Sequence, residues 1–214
     1  MKKWINFSII IAIVFIIGAC SKDETAVTDE INQHIENTVE IEAEFEESQE
    51  QIATLEEQDE EIYEEIIQLG SEDYEEIVEL ADKAIELLEK RIEVVDKEKE
   101  SIETARKEFE NIEPLIEKLD NEDERNLIEE MYDAMIERYD SYEPVYEHYT
   151  DSIRLTIDLY TVLKEEEFKE DDVYSVISDV NTSYDEVATA FEVFNDETTA
   201  YNQAKEKYYE YIME

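Results

Sequence analysis

Chain breakers are nearly missing. Of 214 residues two are glycine and two are proline, and beyond residue 20 only Gly70, Pro114 and Pro144 remain. A β-sandwich or barrel needs far more turn chemistry, so long helices are the default. The one cysteine, Cys20, excludes an internal disulfide and leaves no thiol chemistry downstream. The two histidines, His34 and His148, are preceded at three residues by Ile31 and Val145, so they cannot form the paired Glu-x-x-His of a di-iron bundle. EF-hand loops, phosphate-cradling glycine loops, G-x-S-x-G elbows and Cys/His zinc spacings do not occur. No catalytic residue, metal site or cofactor is expected, and carboxylate pairs are too abundant to signal hydrolysis. Cations are scarce as well: 18 Lys and Arg stand against 63 Asp and Glu, a net charge of −45. Such a surface repels nucleic acid, anionic headgroups and anionic wall polymers. Cations, cationic peptides and basic proteins remain as electrostatic partners. The acidity also serves solubility in salty or alkaline surroundings.

The N-terminus carries the first positive signal. "MKKWINFS" supplies Lys2 and Lys3, an apolar run follows from Ile9 to Ile17, and Gly18 and Ala19 precede Cys20. A basic region, a short apolar stretch and small residues describe a secretory signal too short for a stable spanning helix. "IGAC" resembles a bacterial lipobox, in which the cysteine sulfur receives a diacylglycerol and the chain is cut just before it. The expected organisation is a signal peptide over 1–19, a lipidated Cys20 with a tether over 20–28, and a helical domain over 29–214. Two acyl chains at about 0.8 kcal/mol per buried CH₂ suffice for stable anchoring. The expected location is the extracytoplasmic face of the cell membrane.

Three breaks divide the remainder. "LGSED" offers Gly70 as a C-cap and Ser71 as an N-cap, "LDNEDE" at 119–124 offers Asp and Asn caps, and "EFKEDD" at 167–172 is a third turn. Helices are predicted over 24–69, 72–119, 123–167 and 172–213. Their apolar residues follow a 3,4 spacing, as in Ile177, Val180, Tyr184, Val187, Phe191 and Phe194, which means coiled-coil-like packing. The expected fold is all-α: an elongated antiparallel four-helix up-and-down bundle with coiled-coil-like seams, with a splayed coiled coil as the alternative. Residues 23–82 hold 24 Asp or Glu and no Lys or Arg. That stretch is read as a solvated face, or as a loose binder of divalent cations or of a cationic partner. Asp59, at a seam position, is expected to pair with Lys83 or Lys164.

Five tyrosines crowd "EEMYDAMIERYDSYEPVYEHY", residues 129–149. At 100° per residue Tyr132, Tyr139, Tyr142, Tyr146 and Tyr149 share one stripe and point mainly into the bundle. Counting back through the turns stacks His34, Thr38, Arg106, Tyr139 and Tyr201 in one unusually polar layer. His34, Arg106, Tyr139 and Tyr201 are therefore the candidate ligand layer, while Tyr146 and Tyr149 should be core packing. The tyrosines either fill a slender bundle, with hydroxyls reaching water or carboxylates, or line a groove for a sugar ring or an apolar peptide. Pro144 and Pro114 should each kink their helix.

"EEMYDAMIERYDSY", on an acidic bundle-length chain behind a lipobox, resembles the YkyA-like lipoproteins of Gram-positive bacteria, related to lipoproteins with a Glu-Met-Tyr-Tyr signature. Here Tyr132 is followed by Asp133, which breaks the adjacent pair. The resemblance implies a four-helix up-down bundle and cell-wall binding, and it adds no catalytic residue. The expectation is a membrane-anchored, non-catalytic binding or structural module at the membrane–cell wall boundary, with cell-wall components or cationic proteins as partners. The alternative is an extracytoplasmic chaperone-like or accessory protein that binds cationic or apolar peptide segments.

Overall fold

A computed structural model describes residues 24–166 and 170–213 of the chain. The signal segment and Cys20 lie outside these residues. The elements are α1 (Glu24–Ile66), a 3₁₀ turn at Ser71–Asp73, α2 (Tyr74–Phe109), a 3₁₀ turn at Glu110–Ile112, a short α3 (Glu113–Ile116), α4 (Glu122–Leu163) and α5 (Glu170–Met213). The described residues contain no strand. The four long helices form an all-α bundle in which α1 packs along α2, α2 along α4, and α4 along α5. With 42 to 44 residues, α1, α4 and α5 are each about 65 Å long. No described helix is long and apolar enough to cross a membrane.

The turns explain the ends. Gly70 is in extended backbone (φ −103°, ψ 174°), not the left-handed C-cap its position suggested. Its N–H donates to Asp73 Oδ2 at 3.1 Å, and Asp73 N–H returns to Gly70 O at 3.0 Å. At the other turn Asn121 caps α4, its Oδ1 accepting from the N–H groups of Asp123 (2.9 Å) and Glu124 (3.2 Å). Its amide donates to Tyr211 Oη at 2.7 Å. Thr28 Oγ1 donates to Glu124 Oε1 at 2.7 Å. The start of α1, the start of α4 and the end of α5 therefore meet at one end. The α1–α2 turn and the end of α4 meet at the other, where Tyr74 Oη donates to Lys164 O.

The two prolines behave differently. Pro114 lies where α2 gives way to a 3₁₀ turn and then to α3, as expected of a ring that removes a donor and crowds the carbonyl one turn back, on Glu110. Pro144 sits inside an unbroken α4. Its neighbours Tyr142, Val145 and Tyr149 are buried, and that packing holds the helix together across the missing donor.

Two apolar cores fill the bundle. One, near the termini, is built around Ile31, Phe45, Phe109, Ile128, Met135, Phe194 and Tyr208. The other, toward the α1–α2 turn, gathers Leu55, Ile66, Ala84, Leu88, Ile153 and Tyr160. Polar side chains are buried within and between them.

Candidate functional site

The tyrosines of α4 resolve the puzzle of their number. Tyr139 donates to Glu42 (3.0 Å), Tyr149 to Glu56 (2.6 Å) and Tyr160 to Asp59 (2.9 Å), all on α1. Tyr142 donates to Glu98 (2.7 Å) and Tyr146 to Asp96 (2.8 Å), both on α2. A helix rich in phenol donors thus faces two helices rich in carboxylates. Each ring is packed while its hydroxyl gains an ionisable acceptor. Tyr139, Tyr142 and Tyr149 are buried, whereas Tyr132 and Tyr146 are only partly so. Tyr146 packs against both cores from the edge, with Lys99 Nζ 4.1 Å from its ring centroid, so the core packing expected of it is only partial.

Three polar layers cross the interior. In the first, Arg138 from α4 is 3 % exposed. Its Nη1 donates to Glu42 of α1 at 2.7 Å and its Nε to Thr198 Oγ1 of α5 at 3.1 Å. One guanidinium therefore clamps three helices. Nearby, Lys205 lies 5.6 Å from the centroid of Tyr201 and 6.0 Å from that of Tyr209, and burial lowers its pKa. In the second layer Glu98 receives Tyr142 Oη and Gln49 Nε2 (2.5 Å). Burial pushes its carboxyl up to about 7 against the pull of those two donors. In the third, Arg91 is 1 % exposed and its Nη1 stands 3.9 Å from Asp59 Oδ2. Its Nε and Nη2 have no hydrogen-bond acceptor among the described residues. Burial opposes its charge, but Tyr149, Tyr184, Glu56 and Asp59 together hold its pKa above the usual value.

Of the four residues expected to share a layer, Tyr139 is near both Tyr201 and Arg106, while His34 is engaged elsewhere. Tyr139 and Tyr201 both pack edge-on to Phe109, at 6.4 and 6.2 Å. His34 accompanies Asn37 at Glu108, with Nδ1 2.9 Å from Oε1, and these contacts lower the Glu108 pKa, Asn37 foremost. Arg106 turns outward to Glu110 and Asp140. It shares with Tyr139, Tyr142 and Lys99 a cleft of about 290 Å³ between α2 and α4. A larger groove of about 860 Å³ runs between α1 and α2, its rim set by Glu40, Glu44, Glu47 and Glu100. Asp59 does not find the expected lysines, because Lys83 pairs with Glu79 and Lys164 with Asp82.

Across the Ser71–Asp73 turn α1 and α2 face each other as Gln49–Glu98, Ile41–Ser101 and His34–Glu108. His34 thus meets Glu108 rather than Arg106, whose side chain turns away from α1 toward Asp140 on α4. Arg91, Glu98 and Arg138 stand where the apolar spacing of α2 and α4 passes over a charged residue, and Glu42 stands beside the seam positions of α1, so apolar spacing does not reveal them. On α2 the buried positions Ala84, Leu88, Arg91, Val95, Glu98, Ile102 and Ala105 keep an unbroken 3,4 spacing once charged residues are admitted.

The described residues bring no group of three or more His, Cys, Asp or Glu into position for a metal ion. The interior can hold helices in register and take up or release a proton at Glu98.

Comparison with known proteins supplies the context. A family described as "YkyA: Putative cell-wall binding lipoprotein" matches residues 26–211. An "Uncharacterized lipoprotein YkyA" of Bacillus subtilis (strain 168) is 29% identical over 199 residues, 93% of this chain and 88% of that protein. A crystal structure of a conserved protein of unknown function from Staphylococcus aureus superposes with a TM-score of 0.64 at 14% identity, over 89% of this chain and 98% of the other. That likeness concerns the fold alone.

Proposed function

The chain belongs to the YkyA lipoprotein family, and on that basis we propose that it is a membrane-anchored, extracytoplasmic, non-catalytic binding or structural module at the membrane–cell wall boundary. The anchor is a diacylglycerol on Cys20, and no cofactor takes part. The observation that carries this reading is the joining of Thr28 to Glu124 and of Asn121 to Tyr211. A lipid a few residues before α1 then holds that end near the bilayer, and the α1–α2 turn stands about 65 Å away. A stalk of that length, clamped internally by Arg138, suits presentation of a surface at a fixed height. Fatty-acid labelling of wild type and Cys20→Ala tests the anchor; equal labelling of both sinks it. Pelleting with purified peptidoglycan tests wall binding, and a chain that stays in the supernatant at low and moderate salt removes that part.

A second reading has its own observation. Tyr63 (39%), Ile67 (61%) and Tyr174 (67%) are large apolar side chains left exposed on an otherwise acidic surface. That combination suits an accessory protein engaging cationic or apolar peptide segments.

A further inference from the structure

The two core clusters are built unevenly. The first α5 side chain to join either core is Val187, although α5 begins at Glu170. Val180 is buried outside both cores, Val173, Val176 and Ile177 are half-buried, and Tyr174 is exposed. Across from this stretch runs the end of α1. Phe45 of α1 packs on Phe194 of α5 at 6.3 Å, and Asn32 of α1 accepts from the Tyr208 hydroxyl of α5 at 3.3 Å, which fixes the level of the two helices. From the Phe45–Phe194 level the helices run antiparallel toward the α1–α2 turn at about 1.5 Å per residue. Ile67 then stands about 33 Å beyond Phe45, and Tyr174 about 30 Å beyond Phe194. Tyr63 and Ile67, four residues apart, share a face of the α1 end. Apolar side chains of α1 and α5 are thus left exposed at the same height.

The surrounding charge selects the occupant. Glu60, Glu61, Glu64 and Glu65 crowd the C-terminal end of α1, and no basic residue lies in its last turn. Carboxylates there oppose the helix dipole. Asp171 and Asp172 flank Tyr174 on α5 and are exposed. The described lysines nearest this end, Lys83 and Lys164, are already paired with Glu79 and Asp82. A second copy of the chain would bring like charge to like charge on this face, and an anionic membrane would do the same. A basic partner gains both the field and the apolar contact.

We infer that the α1–α5 face at the end away from the termini docks a basic, amphipathic polypeptide segment, with Tyr63, Ile67 and Tyr174 as its apolar anchors and the flanking carboxylates as its charge complement. This rests on the second reading above and deepens it by naming the surface and the chemistry of the partner. Exposed aromatic anchors inside a charged rim are the composition that carries binding at protein surfaces.

The test uses the full chain in detergent micelles and a fluorescein-labelled amphipathic peptide of lysine, leucine and tryptophan, followed by anisotropy. Controls are a lysine–serine peptide of equal charge and a glutamate–leucine peptide. The inference expects tight binding of the first peptide only, weakened by salt, and a loss of at least tenfold in Tyr63→Ser/Tyr174→Ser. All three anchors are exposed, so circular dichroism and Tm should stay unchanged, as in the control Val193→Ser, which keeps wild-type affinity. If wild type binds none of the peptides, the peptide-binding reading itself falls. If it binds but Tyr63→Ser/Tyr174→Ser keeps full affinity, the reading survives and this surface is wrong. Equal binding of the lysine–serine peptide removes the apolar anchors. A dimer in sedimentation that Ile67→Glu abolishes assigns the face to a second copy and overturns the inference.

Discussion

Glu98 accepts the Tyr142 hydroxyl at 2.7 Å in the middle of the bundle, and no ion pair reaches it among the described residues. Burial raises its pKa from the usual 4.5 to about 7. A carboxyl with a raised folded-state pKa adds stability that is full below about pH 4.5 and is lost as pH rises through about 7. Glu98→Gln should therefore unfold with a flatter pH dependence between 4.5 and 8. Its gain over wild type should grow with pH to on the order of 3 kcal/mol. Repulsion among the surface carboxylates affects both proteins and cancels in the difference. Urea titrations at a series of pH values decide it, and parallel curves would show that Glu98 does not titrate in this range.

Arg138 should resist substitution more than any surface cation. Arg138→Met strands Glu42 and Thr198 together, and breaking one side of a buried pair costs about 3–5 kcal/mol. Restoring neutrality with Glu42→Gln in the same chain should recover at least half of that loss. Chemical denaturation of the two single variants and the double variant gives the coupling directly. Additive losses would mean that the pair is not an energetic unit.

The phenol ladder predicts a graded series. Tyr142→Phe and Tyr149→Phe leave a carboxylate without its donor and should each cost about 1–3 kcal/mol. Tyr146→Phe, at a wet edge, should cost under about 0.5 kcal/mol. Tyr149→Ala, which removes the whole ring against Phe191 (6.4 Å), should cost about 3–5 kcal/mol. Tyr139→Phe tests the hydroxyl on Glu42, and Tyr201→Phe its neighbour across Phe109. A flat series would reduce all of these hydroxyls to passengers on packed rings.

Arg91 makes the opposite case to Arg138. The groups around it favour its charge, but with Nε and Nη2 lacking acceptors and Asp59 at 3.9 Å its hydrogen bonding is incomplete. The double replacement Arg91→Met/Asp59→Asn should be neutral or stabilising by about 1–2 kcal/mol, while Asp59→Asn alone should destabilise. Thermal melts of both variants settle the order, and a double variant less stable than Asp59→Asn would contradict it.

The helices, the turns near 70 and 120, and the seams of α4 and α5 were legible because a 3,4 spacing survives wherever apolar side chains carry it. Tyr149 against Phe191 (6.4 Å) follows from that count, whereas Phe194 meets Tyr142 (5.7 Å) where the count sets Tyr146. The level of α1 against α2 was legible too, since Ile41 meets Ser101 and His34 meets Glu108, next to the counted Arg106. The direction of a side chain at the seam edge was not legible, and Arg106 turns outward there to Glu110 and Asp140. The polar layers were hidden for another reason. Arg91, Glu98 and Arg138 occupy core positions that a search for apolar residues skips, and their burial is tolerated only because tyrosines and carboxylates from other helices meet them there.

The lack of any cation between residues 23 and 82 has a consequence for the order of events as the chain is made. A polypeptide delivered N-terminus first exposes α1 well before Arg91 and Arg138 arrive to face Glu42 and Asp59. Until then its carboxylates repel one another and its narrow apolar stripe has nothing to pack on, which disfavours early folding of the leading segment. A segment of this kind would offer little structure to pull apart if the chain were threaded through a narrow channel. The first partner to emerge is α2, with Lys83, Lys90 and Arg91, and α4 adds Arg138 and the phenols that complete the enclosure of the acidic helix.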